Sequence, residues 1–160
     1  MHSFTIRPIR PEDRPQIAPL ITRQWGADFV VAHGQIFHPA DLDGFLALEN
    51  GEWVGLVTYR FGGPDCEIVT IDSLIPQRGI GKALLAAVKA EAERHGCRRI
   101  WLITTNDNLF ALRFYQVNGF ELVRVNRRAV EAARQMKPSI PLVGESGIPI
   151  RDEIELELPL

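Results

Sequence analysis

The feature that most constrains this chain is a pair of glycines where a β-rich run passes into a strongly helical run. Gly79 and Gly81 lie at the centre of this junction, which spans residues 74–85. Because glycine has no Cβ, the backbone can turn sharply there, and its N–H groups can approach a ligand at the positive end of the following helix. The junction predicts an anion-binding loop and favours a phosphorylated ligand.

The two commonest phosphate-binding motifs do not match the glycine pair. A P-loop requires glycine five residues before Gly81 and Ser or Thr after the lysine, and the chain has Pro76 and Ala83 at these positions. A Rossmann fingerprint requires a third glycine where Leu84 stands. ATP hydrolysis and NAD binding are therefore not favoured. From these residues alone, a glycine turn that only starts a helix is the simpler interpretation.

The segments after the glycine pair alternate between helix and strand patterns. An amphipathic helix runs from Ile80 to a stop at Gly96, and a second helix follows a capping cluster at 106–108 and ends at Asn118-Gly119. Apolar strands are predicted at 66–71, 100–105 and 120–123. The resulting order is strand, helix, strand, helix, strand.

The flanking segments extend this pattern at both ends. Before the glycine pair we predict a strand at 4–8, a helix at 11–25 with a kink or break at Pro19, and a hairpin of 45–49 and 53–59 around Asn50-Gly51. After it come a helix at 126–136, a loop rich in proline and glycine at 138–149, and an alternating strand at 154–158. We expect this last strand to be an intramolecular edge strand, with a dimer-forming strand as the alternative.

Composition limits the possible classes of protein. The chain has 160 residues, 46% of them apolar, and a formal net charge of −2, which predicts one globular domain over 1–160 and gives no basic excess for nucleic acid. No apolar run is long enough to span a bilayer and no secretory signal pattern is present, so a cytoplasmic location and no membrane partner are expected.

The histidines and cysteines do not predict a metal site. Cys66 and Cys97 lack the spacing of zinc ligands and are expected to be small buried residues. His33 and His38 have no third ligand nearby, so surface or hydrogen-bonded histidines are expected.

Residues 67–123 resemble the acyl-CoA core of the GCN5-related N-acetyltransferase (GNAT) superfamily. One matching motif is Arg78-Gly79-Ile80-Gly81 followed by 83–85, which resembles the family's pyrophosphate loop and helix. The other comprises Asn108, Ala111 and Tyr115, followed by Gly119-Phe120. Pro76 departs from the family pattern, which has Gln or Arg there, and Gln77 and Arg78 are the residues that could supply polar contacts instead.

This resemblance implies a fold and a coenzyme site. The fold class is α/β (α+β), with a mixed central sheet of about six to seven strands flanked by helices and splayed at the coenzyme site. The core covers 67–123, and 137–160 form a C-terminal loop and strand. The residues expected to contact acetyl-CoA are Leu74, Ile75, Gln77, Arg78, Gly79, Ile80, Gly81, Lys82 and Asn108. Leu74 and Ile75 are expected to pair with the pantetheine arm through their backbone, and Asn108 also to cap a helix.

The resemblance also assigns catalytic roles. Tyr115 matches the family's tyrosine that reaches the coenzyme sulfur. A phenol has a reference pKa of about 10, above the roughly 8.5 of a thiol, so it is protonated at neutral pH and can act as the acid. Glu67 is the expected base, with Asp72 or a water molecule as alternatives and ordinary solvated carboxylates as the simpler interpretation. Acceptor recognition is expected from the irregular region 25–43.

The predicted function is transfer of an acetyl group from acetyl-CoA to a primary amine, by direct attack in a ternary complex and without a metal. The acceptor is expected to be a small-molecule or peptide amine, and the protein a monomer or homodimer. The alternative is a non-catalytic acyl-CoA-binding or regulatory module.

Overall fold

A seven-stranded sheet organises the structure, a computed structural model that describes residues 3–160. Residues 1 and 2 of the predicted 1–160 domain lie outside the described part. In chain order the elements are β1 (Thr5–Pro8), α1 (Arg14–Trp25), β2 (Val30–Ala32), β3 (Gln35–Phe37), β4 (Asp43–Glu49), β5 (Glu52–Gly62), β6 (Asp65–Ser73), α2 (Ile80–Arg94), β7 (Arg99–Thr105), α3 (Leu109–Val117), β8 (Glu121–Asn126), α4 (Ala129–Met136) and β9 (Glu153–Pro159).

The sheet is mixed, with the strand order β1-β4-β5-β6-β7-β9-β8. Its one parallel pair, β6 with β7, is short, because only Asp65–Glu67 pair with Arg99–Trp101. β6 continues to Ser73 and β7 to Thr105, so the two strands separate beyond Glu67. The predicted fold class and the predicted splay are both confirmed.

Helices cover both faces of the sheet. On one face, α1 buries Ile17, Leu20 and Ile21 against Leu46 and Leu56. The other face carries α2 and α3, whose apolar side chains share a larger core with β4 to β7 and β9. A Cβ at Gly55 would lie 2.6 Å from Cγ2 of Ile80, so this glycine lets α2 lie close to the sheet.

The predicted break at Pro19 is wrong, because α1 runs without interruption from Arg14 to Trp25. Proline removes the N–H that would bond the carbonyl of Pro15. Pro15 is exposed in the first turn of α1, where that carbonyl can bond water instead.

The region 25–43 is more regular than predicted. β2 and β3 form an antiparallel hairpin in which Val30 pairs with Phe37. Its turn is His33-Gly34, and both residues have positive φ, at 40° and 77°. Two such residues in succession are typical of a type I′ hairpin turn, which is more often signalled by Asn-Gly.

The last strand is not an edge strand, which corrects the expectation for the strand predicted at 154–158. β9 lies between β7 and β8 and pairs with both, so the edge of the sheet is β8. β8 and β9 are antiparallel neighbours, and residues 127–152 form the long connection between them. Sequence alternation identified the strand but carries no information about its position in the sheet.

Candidate active site

The separation of β6 and β7 leaves an open backbone edge on β6 from Ile68 to Ser73. A register shift between Thr58 and Tyr59 of β5 leaves Val69 as a bulge in β6, two residues beyond Glu67. A bulge leaves its extra residue without a ladder partner. The cleft therefore offers unpaired backbone groups close to the apex where the strands diverge.

The N-terminus of α2 lies at the end of the same strand. Gly79 is its N-cap residue with φ at 75°, and the first helical bond runs from Ala83 N to Gly79 O at 3.0 Å. Among residues 3–160, the N–H groups from Gly79 to Lys82 have no hydrogen-bond acceptor. Such groups at a positive helix end form an anion-binding site.

The two glycines of the loop are required for different structural reasons. A Cβ on Gly79 would meet no atom within 4 Å, so this glycine is required by its left-handed backbone. A Cβ on Gly81 would lie 3.0 Å from Cζ of Phe114, so this glycine lets α3 pack against the first turn of α2. Phe110 stacks on Phe114 with ring centroids 6.1 Å apart and is 80% exposed at the same rim.

Two predicted coenzyme contacts already have partners within the protein. The Arg78 guanidinium forms an ion pair with Glu49 of β4, which ties the loop to the sheet. The Leu74 N–H donates to Val54 O at 2.9 Å, so it is directed toward β5 and not toward the cleft.

Tyr115 lies in the core between Phe114 and Phe120, each with its ring centroid 5.3 Å away, and is 6% exposed. Burial, and to a smaller extent the charge of Asp72, raises the pKa of the Tyr115 phenol. Its hydroxyl forms no hydrogen bond with a described residue. Every buried polar side-chain atom among residues 3–160 has a partner, so this hydroxyl is not buried and solvent reaches it. The neighbouring Asn108 caps α3, with its Oδ1 accepting from Ala111 N at 3.1 Å.

Asp72 lies on β6 beneath the C-terminal end of α1. Trp25 Nε1 donates to both Asp72 carboxylate oxygens, at 3.2 and 3.1 Å. Burial raises the pKa of Asp72 to about 6 despite this bond. A carboxyl group with this pKa can exchange a proton near neutral pH.

The raised pKa predicts that Asp72 destabilises the fold as pH increases. Above an ordinary pKa of 3.8 the unfolded chain ionises while the folded protein holds the proton until about pH 6. Asp72→Asn keeps an oxygen for Trp25 and should raise the free energy of unfolding at pH 7.5 by about 1–2 kcal/mol, or about 3 °C in Tm. At pH 4 the two proteins should melt together. Equal Tm values at pH 7.5 would contradict this assignment.

Glu67 lies at the apex of the cleft and is almost completely buried, with 2% exposure. Its Oε1 accepts from Arg60 Nε at 2.9 Å, and its Oε2 lies 2.7 Å from His33 Nε2. The sequence indicated a hydrogen-bonded His33 as one of two possibilities, but it gave no signal for this partner, which lies in another element.

Residues of the long β8–β9 connection hold the segment beyond α1 in place. Lys137 donates from Nζ to Trp25 O at 2.8 Å and lies over the Phe29 ring at 5.7 Å. Burial lowers the pKa of this lysine. Further along, Asn106 bonds the backbone of Pro149, Arg151 and Asp152, which fixes the end of the connection beside β7.

The cleft, the glycine loop and the mixed sheet together match a known family. The sequence profile of the acetyltransferase (GNAT) family matches residues 7–120. The chain belongs to the GNAT family. The resemblance derived from residues 67–123 is therefore confirmed, and the match extends to the N-terminal half.

The chain is also similar to individual proteins in sequence or in fold. The Bacillus subtilis (strain 168) protein YdhI is 49% identical over 133 residues, which are 82% of this chain and 83% of YdhI. The IAA acetyltransferase of Bacillus cereus ATCC 14579 has the same fold, with a TM-score of 0.72 at 22% identity over 99% of this chain and all of its own. A GNAT acetyltransferase from Elizabethkingia anophelis with acetyl-CoA bound has a TM-score of 0.69 at 21% identity, covering 98% of each chain.

Residues 3–160 lack two kinds of feature. None of the helices there has the length and apolar character that crossing a membrane requires. No group of three or more His, Cys, Asp or Glu side chains in the same range could hold a metal ion.

Proposed function

We propose that this GNAT protein transfers the acetyl group of acetyl-CoA to a primary amine, by direct attack in a ternary complex. One observation carries the proposal: the open backbone edge of β6 ends near the unpaired N–H groups of α2, and the solvent-accessible Tyr115 hydroxyl lies close enough to Asp72 of β6 to be affected by its charge. This arrangement supplies an anion site and a proton donor along one path. The E. anophelis neighbour of the same fold has acetyl-CoA bound.

In this proposal the coenzyme diphosphate accepts hydrogen bonds from the N–H groups of Gly79, Ile80, Gly81 and Lys82. Left-handed φ at Gln77, at 61°, and at Gly79 shapes the loop that presents them. Arg78 positions the loop through its ion pair with Glu49 and adds positive charge nearby.

The pantetheine arm would pair with β6 as an added strand. Backbone groups alternate in direction along a strand, and the Leu74 N–H is directed toward β5. Ile71 and Ser73 therefore direct their backbone groups into the cleft, and Ile75 continues this series after the end of β6. Leu74 instead holds the end of the strand against β5. Asn108 uses Oδ1 for its capping bond, and its Nδ2 bonds no residue within 3–160, so Nδ2 is available to bond the same arm.

The chemical step requires a neutral amine, a site for the developing oxyanion and an acid for the thiolate. The unpaired backbone at the Val69 bulge lies beside the apex and is our candidate for the oxyanion donor. The raised pKa of Tyr115 keeps its proton in place until the coenzyme sulfur leaves with an electron pair. Glu67 contributes to removal of the proton from the substrate amine.

The acceptor would enter from the face that carries α1 and the β2–β3 hairpin, because α2 and α3 cover the other face. Carboxyl groups at Asp72 and Glu67 lie on this side, as does the exposed edge of Trp25. An entrance with acidic and aromatic groups suits an acceptor that arrives as an ammonium ion.

Calorimetric titration with acetyl-CoA, CoA, ATP and NAD tests the coenzyme assignment. We expect micromolar binding of acetyl-CoA and CoA and much weaker binding of ATP and NAD. Thiol release should then be measured with spermidine, tyramine, lysine methyl ester and kanamycin as acceptors, with detection of the acetylated amine by mass. Binding without transfer to any amine would support the non-catalytic module, and an absence of binding would overturn the proposal.

A further inference from the structure

Glu67 is poorly placed to take a proton from a substrate directly. Its side chain is 3% exposed, and each carboxylate oxygen already has a partner. Arg60 Nε lies 2.9 Å from Oε1, so this oxygen already forms an ion pair within the protein.

His33 is bonded to this carboxylate and is itself partly exposed. Nε2 faces Glu67 Oε2 at 2.7 Å, and the His33 side chain is 21% exposed. Nδ1 forms no hydrogen bond with a residue within 3–160. Every buried polar side-chain atom in this range has a partner, so Nδ1 is not buried and solvent reaches it. When Nε2–H donates to a carboxylate, the other ring nitrogen carries a free lone pair.

The ring is held in this orientation from three sides. It packs against Phe37 and Trp101, with ring centroids 5.6 and 5.1 Å away, and the His33 N–H donates to Glu153 Oε1 at 3.2 Å. The backbone φ of 40° is unusual for a residue other than glycine. Surrounding contacts must hold such a conformation, and strained residues of this kind cluster at functional sites.

The position of the ring coincides with the apex of the cleft. Glu67 and Trp101, which His33 contacts, form the last parallel pair of β6 and β7. Beyond this pair the backbone edge of β6 is open, and the Val69 bulge follows two residues later. The open nitrogen is therefore carried by a residue that packs at the start of the proposed acetyl-CoA path.

We propose that Nδ1 of His33 accepts the proton of the substrate ammonium ion, and that Glu67, held by Arg60, is a positioning residue that fixes the ring tautomer. This inference rests on the proposed acetyltransferase function. The ammonium proton passes to Nδ1 and then to solvent. The nitrogen lone pair forms the C–N bond, the C–S bond breaks with its electron pair on sulfur, and the Tyr115 proton goes to the thiolate. The second nitrogen proton goes to solvent, which reprotonates Tyr115.

Charged groups from several elements act on this ring. Glu67 of β6 lies beside Nε2, Glu153 of β9 accepts from the His33 backbone N–H, and Arg60 of β5 lies behind Glu67. Arg99 of β7 lies over the Trp101 ring at 5.3 Å and adds a more distant positive charge. Removing one of these charges should move the pH dependence of the reaction as well as its rate.

Steady-state kinetics with the most reactive amine of the panel provide the first test. His33→Gln should lower kcat/KM by about 100-fold, abolish the fall in rate toward acidic pH that protonation of the imidazole causes, and leave the acetyl-CoA Kd within about two-fold. His95→Gln, an exposed histidine at the C-terminal end of α2 and outside the proposed site, is the matched control and should retain the wild-type rate. If His33→Gln retains the wild-type kcat/KM and pH profile, the assignment of the base is overturned.

Nitrogen NMR of the ring provides a second test that needs no acceptor. The wild-type protein should show His33 with the proton on Nε2. In Glu67→Gln, the amide can accept from Arg60 and donate to Nε2, so the proton should move to Nδ1 with a matching loss of activity. A wild-type Nδ1–H tautomer would overturn the inference. A protein that binds acetyl-CoA but acetylates no amine would instead overturn the proposed function together with the base.

Discussion

Replacing Tyr115 with phenylalanine is expected to lower kcat for acetyl transfer by about 10²–10³-fold and to leave the Kd for acetyl-CoA within about two-fold. The change removes one oxygen atom, which bonds no described residue, from a ring that packs against Phe114 and Phe120. Folding should therefore be nearly unaffected. The coenzyme thiolate would then have to leave unprotonated or take its proton from water, because the proposed donor is gone.

Tyr59→Phe is the matched control for this measurement. Tyr59 is also 6% exposed in the same core, and burial raises the pKa of its phenol to about 12, but it lies on β5 and faces Phe45 and Phe61. We expect a wild-type kcat from this variant. Stopped-flow measurement of thiol release separates the chemical step from product release. A wild-type kcat in Tyr115→Phe would remove the phenol from the mechanism.

Replacing Lys82 with proline is expected to raise the Kd for acetyl-CoA and CoA by about 10-fold or more. Proline deletes one of the four unpaired N–H groups at the start of α2, and a hydrogen bond to a charged group contributes about 1.5–3 kcal/mol. The helix should still form, because proline is tolerated in a first turn whose N–H groups have no helical acceptor.

Lys82→Ala separates the amide from the lysine charge. This variant keeps the N–H and removes only the side chain, so its Kd should rise by about two- to three-fold. Circular dichroism and Tm of both variants establish that α2 is intact. Equal Kd values for the proline and alanine variants would show that the peptide N–H makes no contact with the diphosphate.

Local chemistry explains why much of the framework was predictable. Gly79 as a left-handed N-cap, Asn108 as the cap of α3 and Asn50-Gly51 between β4 and β5 each follow from the backbone preference of one or two residues. Apolar periodicity then gave α2, β6 and β7 nearly to their observed bounds. The spacing from Asn108 to Tyr115 places Asn108 at the N-cap of α3 and Tyr115 within that helix.

The pairings that complete the candidate site were not predictable in this way. His33 meets Glu67, Trp25 meets Asp72 and Glu49 meets Arg78 across large separations in sequence, and each residue alone resembles an ordinary surface group. The β2–β3 hairpin was missed because its turn uses His33-Gly34, a pair that seldom signals a type I′ turn. Without the hairpin, His33 has no reason to lie near β6.

By itself the sequence determined the strand-to-helix junction with its glycines and the order of helices and strands around it, because these depend on backbone preferences and periodicity. The GNAT fold and the candidate acid Tyr115 came from the resemblance of two sequence motifs to that family. Only the tertiary structure decided that β9 enters between β7 and β8, that Arg78 is paired, and that Glu67 is sealed beneath His33. Strand order depends on which distant segments pair with one another. The burial and the pKa of a carboxyl group depend on which of these segments exclude water around that group. These contacts exist only once the chain has packed.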